Sequence, residues 1–503
     1  MERVRALVVV LAAAALVLSG CTAAPAPEPT RTPRSAAVRL VASDATAVAD
    51  ASRAPERAVQ VSRSVFAASP GVVLAPAGDG AAQRRAAAEA ARLRVPMLLV
   101  RGAASASASP SPSPSGTPAA AEDGDVRDEV QRLGATWAVG FGAALPGVRA
   151  RRAGDAAPSA PAGRALVAVV ADPGADTAAI ATARAAGGQV VTGGPDLNGS
   201  AAAVRALSRA KRARAVLIGS RFHARGDLDW AVTAARTGWT YPDGGQRAWD
   251  GRSLHVALYG TPGAPVLGVL GRQDGPATIA RATALAGQYQ ALTARKVSPM
   301  LEVIATVASG GPTGDGDYSG EIDPEALEPY VDRALKAGVP VILDLQPGRE
   351  DFLSQAKQYA SLLEKPGVGL ALDPEWRLGP KQKPLVQIGR VSAAEVNRTS
   401  AWLADLVRTH GLPPKPFVLH QFRLTMLQQR QEIVVDRPEL DVLIHVDGQG
   451  SQPDKQATWR AVRAGAPHVG WGWKNFLKTD HPVLTPRQTI QQVHPTPDLI
   501  TYQ

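Results

Sequence analysis

The sequence predicts an α/β protein, with an N-terminal parallel-sheet α/β region followed by a (β/α)8-barrel-like domain. Three observations predict it. Short β-branched runs bounded by Gly, Pro or Asp alternate with helix-length segments along most of the chain. Near residue 253 the character changes, and the runs become richer in aromatic and polar residues. From there on, about 250 residues carry at least seven strand–helix repeats, which is the length and rhythm of one (β/α)8 barrel. An open, doubly wound sheet is the alternative arrangement of the same repeats.

Residues 1–20 combine Arg3 and Arg5, an apolar run over 6–17 and small residues before Cys21, the pattern of a cleaved export signal. The run is shorter than the roughly 20 apolar residues a membrane-spanning helix needs. Residues 21–37 are proline-rich and are expected to act as a disordered tether. Strands are expected at 38–41, 72–75, 97–100, 137–139, 166–170, 189–191 and 216–218. A helix is expected to begin at Thr46, Ala47 and Val48 and another to end over 62–66, with further helices at 82–92 and 177–186. These elements make two lobes, 38–148 and 164–250, joined through 149–163. The Ala-Ser-Pro tract of 103–121 is disordered by composition and reads as a surface insertion into the first lobe.

In the barrel-like domain, 253–503, strands are expected at 254–259, 300–307, 340–345, 368–372, 417–421, 442–446 and 468–473. Residues 266–270 are a candidate eighth strand. Helices are expected at 277–294, 324–337, 350–363 and 392–410. Pro324 after Asp323 fits a first helical turn, and Gly338 fits a C-terminal stop.

Composition narrows the function. The chain has one cysteine, so no intrachain disulfide forms and the apolar cores must hold the fold. The net charge of +10 suits anionic lipid or wall polymers, but the basic residues are scattered. Nucleic acid is not expected as the partner of an exported chain. No cofactor is expected.

Barrel active sites lie at the C-terminal ends of the strands, so the residues that end each run are the candidates. They are Asp344 and Gln346; Asp373, Glu375 and Trp376; His420, Gln421 and Arg423; His445 and Asp447; and Trp471 and Trp473. Taken singly, an aspartate there is an ordinary helix cap and a histidine an ordinary core residue. Asp373 and Glu375 are the sharpest pair. If the strand continues through them they share a face about 6.6 Å apart, a separation suited to glycoside cleavage. The remaining candidates would bind substrate, with the tryptophans stacking on sugar faces. A metal-dependent phosphodiesterase using His420, His445, Asp447, Asp373 and Glu375 is a second enzyme reading, but the tight spacing of a metal motif is missing and no metal is expected. No G-x-S-x-G elbow supports serine catalysis. The Gly-rich stretch 309–318 reads as a surface loop, with a lid or a calcium loop as the other readings; it does not fit the EF-hand pattern.

Leu18, Ser19, Gly20 and Cys21 resemble the lipobox of bacterial lipoproteins. The resemblance implies cleavage before Cys21, a diacylglyceryl group on its sulfur and anchoring at the extracytoplasmic face of the cell membrane. The order of runs over 46–140, with Val72, Val73, Leu74 and Ala75, then Pro96 to Leu99, then Val139 and Gly140, resembles the type-2 cell wall-binding repeat, and 166–219 looks like a degenerate second copy. Ala77, Gly78, Asp79, Gly80 and Ala81 replace a conserved acidic and aromatic segment of that repeat. The Asp373-x-Glu375 strand end is similar to that of family-25 lysozyme-like and family-18-like glycosidases. The repeated aspartates of family 18 are absent, since Leu370, Ala371 and Leu372 stand there. The expected function is hydrolysis of an envelope or extracellular glycan; a non-catalytic carbohydrate-binding lipoprotein is the alternative.

Overall fold

The computed structural model describes residues 37–101, 123–159 and 165–503. The export signal, Cys21, nearly all of the tether and the 103–121 insertion lie outside them.

The first half forms two four-stranded parallel sheets. One runs Met97–Val100, Gly71–Pro76, Trp137–Gly140, Arg149–Ala150; the other runs Ala47–Ala49, Arg214–Ile218, Leu166–Val170, Gln189–Thr192. Their strands are short and largely buried, as expected where helices cover both faces. The helices Ala54–Val65, Gly80–Leu93 and Thr177–Ala185 pack between the sheets in one apolar core. Within it, Arg57 Nε donates to Asp176 at 2.6 Å, and Thr182 bonds the backbone of Met97.

Two local expectations fail here. Thr46, Ala47 and Val48 do not begin a helix; Ala47–Ala49 is an edge strand parallel to Val216, Leu217 and Ile218. The helix starts at Ala54, where Pro55 supplies the fixed φ that favours a first turn. The first expected strand shrinks to Arg39–Leu40 and pairs antiparallel with Phe66–Ala68.

The second half is a closed barrel of eight parallel strands: β1 (Ser253–Gly260), β2 (Lys296–Ala308), β3 (Val341–Leu345), β4 (Val368–Leu372), β5 (Lys415–His420), β6 (Leu440–Val446), β7 (Gly470–Asn475) and β8 (Leu499–Tyr502). Closure comes from β1, which pairs with both β2 and β8. This excludes the open-sheet alternative. The eighth strand is Leu499–Tyr502, not 266–270. Residues 266–270 follow β1 too closely for a parallel return, which needs a crossover of about a dozen residues. Instead Val266 is 80% exposed and Val269–Arg272 is a 3-10 turn.

Side-chain alternation sorts each strand between two cores. Outward residues such as Val256, Val303, Leu343, Leu370, Leu419 and Ile444 pack against the surrounding helices. Inward residues Ala257, Met300, Ile342, Ala371, Val418, Leu443 and Leu499 form a dry layer inside the barrel, closed from below by Tyr241 and Ala248. Two residues further along, the inward positions of six strands become polar, Tyr259, Glu302, Asp344, His420, His445 and Thr501, with Asp373 just past the end of β4. The site is this second layer.

Candidate functional site

His420, at the end of β5, is fully buried and organises the layer. Its Nδ1 lies 3.0 Å from Asp447 Oδ2, and its Nε2 lies 2.9 Å from Glu302 Oε1 and 3.7 Å from Asp344 Oδ1. Burial disfavours an imidazolium, yet Asp344, Glu302 and Asp447 hold its pKa well above the ordinary histidine range. His445 sits beside it, ring centroids 4.8 Å apart. Burial and the neighbouring charge of His420 push His445 well below that range, so it is neutral. Its Nε2 bonds Thr501 Oγ1. Room for its ring comes from Gly472 on β7, where a Cβ would lie 2.3 Å from His445 Cδ2.

Tyr259 of β1 donates its hydroxyl to Asp344 Oδ2 at 2.6 Å and accepts from Gln346 Nε2 at 3.3 Å. Lys474 of β7 lays its ammonium 3.4 Å from the centre of the Tyr259 ring. Burial raises the Asp344 carboxyl to about 6, with Glu302 adding to the rise and His420 opposing it.

Above this layer the barrel mouth opens into a cleft of about 710 Å³. Asp373, Glu375, Trp376, Gln346, Arg423 and Asp447 line it, together with Tyr259 and Lys474. Val266 and Leu385 form an apolar rim, 80% and 82% exposed.

Asp373 and Glu375 do not continue β4. Pro374 opens a 3-10 turn, Pro374–Trp376, and Asp373 Oδ1 accepts the Glu375 amide at 3.2 Å. The alternation argument for their spacing therefore fails, although both carboxyls reach the cleft. Their environments differ. Burial drives Asp373, 3% exposed, well above the carboxylate range. Burial and then the charge of Asp447 raise Glu375 to about 7, partly opposed by Lys474, His420 and Arg423. Asp447 goes the other way: burial works against its charge, but the hydrogen bond and charge of His420 and the charge of Lys474 hold it below the ordinary value.

Three expected residues lie elsewhere. Trp471 and Trp473 point outward from β7 and pack on Trp459, with centroids 6.1 and 5.7 Å away. Trp473 is also 1% exposed, with its Nε1 donating to Asn475, so neither ring meets a sugar in the cleft. Gln421 is buried, its amide donating to the Arg423 carbonyl and accepting from Arg430. Asp344, His420 and His445 belong to the layer beneath the cleft and do not line it. The 309–318 loop lines no part of the cleft; Arg349 stacks on its Tyr318 at 4.2 Å. Sequence reasoning missed Tyr259, Glu302 and Lys474. The available signal was a lone polar side chain two residues beyond an inward apolar one.

No family model matches the chain, and no curated protein matches it. Among solved structures, it is similar to a xylanase-alpha-amylase inhibitor protein in complex with trehalose, at 15% identity and a TM-score of 0.31 over 50% of this chain and 92% of that one. A second form of a xylanase-amylase inhibitor protein is similar at 14% identity and a TM-score of 0.31, over 50% and 93% of the two chains.

Proposed function

We propose that this chain is an exported lipoprotein, anchored through Cys21 at the outer face of the cell membrane, whose barrel hydrolyses a glycosidic bond in an envelope or extracellular glycan. The observation that carries the reading is the pairing of Glu375 and Asp447 in one cleft, one carboxyl raised to a pKa of about 7 and the other held below the ordinary value. Glycoside cleavage needs those two states together. Glu375 protonates the leaving oxygen. Asp447, braced by His420, stabilises the positive charge that develops on the sugar or activates water. Asp373 serves as a positioning residue, because its carboxyl oxygen fixes the Glu375 turn through the amide hydrogen bond. Trp376 and the rim of Val266 and Leu385 offer faces for sugar rings.

A second reading rests on that same capping bond. If Asp373 and Glu375 serve only to shape the mouth, the cleft is a carbohydrate receptor. The test is release of reducing sugar from purified cell-wall glycan by the soluble form starting after Cys21, with Glu375→Gln alongside. Cleavage that disappears in the variant supports the hydrolase. Absence of cleavage with retention of glycan by both proteins supports the receptor.

A further inference from the structure

The layer beneath the cleft contains a surplus of lone pairs. Among the described residues, four of the buried atoms without a hydrogen-bond partner come together here: Glu302 Oε2, Asp344 Oδ1, His445 Nδ1 and Asp447 Oδ1. Each belongs to a residue buried inside the barrel. A buried polar atom without a partner is costly, so four on neighbouring residues call for an explanation. Three are carboxylate oxygens and the fourth is an imidazole nitrogen, and all four can donate an electron pair.

We propose that this layer binds one divalent transition-metal ion, of the zinc class, through Glu302, Asp344, His420 Nε2 and His445 Nδ1. The ligand atoms of Glu302, His420 and His445 all lie within 4.8 Å of one another. Around an ion with bonds of about 2.0–2.1 Å, tetrahedral ligands stand about 3.3 Å apart. The relevant separations straddle that value: 2.9 Å from His420 Nε2 to Glu302 Oε1, 3.7 Å from His420 Nε2 to Asp344 Oδ1 and 3.9 Å from His445 Nδ1 to Glu302 Oε1. Those three separations lie within about 0.6 Å of the tetrahedral value.

The outer contacts suit the same purpose. A metal-bound histidine donates its far N–H to a fixed acceptor, which sets the tautomer. His420 has Asp447 at its far nitrogen, and His445 has Thr501. An ion here replaces the proton that His420 Nε2 shares with Glu302, and both near nitrogens then present lone pairs to it. Gly472 keeps the space that the His445 ring requires. Two imidazoles with two carboxylates select zinc, iron or manganese over magnesium and calcium, which take oxygen ligands alone. The four ligands come from β2, β3, β5 and β6, so no compact motif announces them. Asp373 and Glu375 stand outside the cluster, which separates this site from the metal reading of the sequence.

The test is metal content, read independently of catalysis. The untagged full-length chain is stripped with chelator, reloaded with Zn²⁺ or Co²⁺ and assayed by elemental analysis, calorimetry and visible absorption. The expected result is about one equivalent bound, with a cobalt spectrum of four-coordinate intensity. His445→Asn and Glu302→Gln each lower affinity at least about 100-fold, whereas Asp373→Asn binds normally. If the ligand variants do not fold, the wild-type cobalt spectrum decides: absence of bound-ion absorption overturns the proposal. Binding that survives both ligand substitutions also overturns it. Neither outcome bears on glycan cleavage, which the reducing-sugar assay measures separately.

Discussion

The most exacting consequence of the cleft concerns pH. Glu375 is raised to about 7 by burial and by the charge of Asp447. A group with that pKa is about half protonated at pH 7, whereas an ordinary glutamate there is about 0.3% protonated, a difference of about 150-fold in the acid form or about 3 kcal/mol. As general acid, Glu375 acts only when protonated. The rate therefore keeps a plateau below pH 7 and falls about tenfold per unit above it. The assay is kcat/KM for reducing-sugar release between pH 4.5 and 9. Arg423 supplies a second, signed check, because its charge lowers the Glu375 pKa. In Arg423→Gln the ionised carboxylate loses a favourable neighbour, so the alkaline limb moves up, by roughly half a unit. A wild-type limb below pH 5.5, or a limb that stays put or moves down in Arg423→Gln, refutes the assignment of Glu375 as the acid.

Two further outcomes follow from placement. Trp473→Ala removes a fully buried ring from the packing between β7 and the helix Gln452–Arg463. It costs about 3–5 kcal/mol in denaturant unfolding and leaves the glycan affinity of the folded protein unchanged, whereas Trp376→Ala, at the cleft, weakens affinity with little loss of stability. Lys415 is 1% exposed, its ammonium donating only to the Lys365 and Val368 carbonyls among the described residues, and burial lowers its pKa to about 7. A lowered lysine penalises folding below its folded pKa and relaxes as pH rises toward the unfolded one. The shift is worth about 4–5 kcal/mol, offset by the two lost hydrogen bonds, so Lys415→Met stabilises by about 2 kcal/mol at pH 6 and, with the penalty nearly gone but the bonds still lost, destabilises by about 2 kcal/mol at pH 10, as measured by urea titration at both.

The strand rhythm of the barrel was legible because parallel strands covered on both faces read as continuous apolar runs, and residues 368–372 match β4 in full. Two short strands were not, although the four-residue Met97–Val100 was. Ala47–Ala49 has three residues and Leu499–Tyr502 four, too few for a period to emerge. The site was legible in part for a related reason. Acids and histidines were sought where apolar runs end, which finds Asp344, Asp373 and His420 but passes over Glu302, placed midway along the 13-residue β2. On β7 the inward positions Gly470 and Gly472 carry no side chain, so the residues that stand out, Trp471 and Trp473, are the outward ones, and the inward Lys474 goes unnoticed. Inward and outward are told apart only once the register of all eight strands is known.

The edge strand Ala47–Ala49 has a consequence for biogenesis. It belongs by position to the beginning of the folded chain, but its only strand partner among the described residues is Arg214–Ile218, about 170 residues later. A chain made from its N-terminus delivers that strand long before the one it pairs with. Until then the helix Ala54–Val65 lacks the Thr177–Ala185 helix it packs on, and Arg57 lacks Asp176. The emerging first lobe is a half-built core with its apolar face uncovered. Cutting the chain at 149–163 and expressing the pieces apart would leave that same core face uncovered.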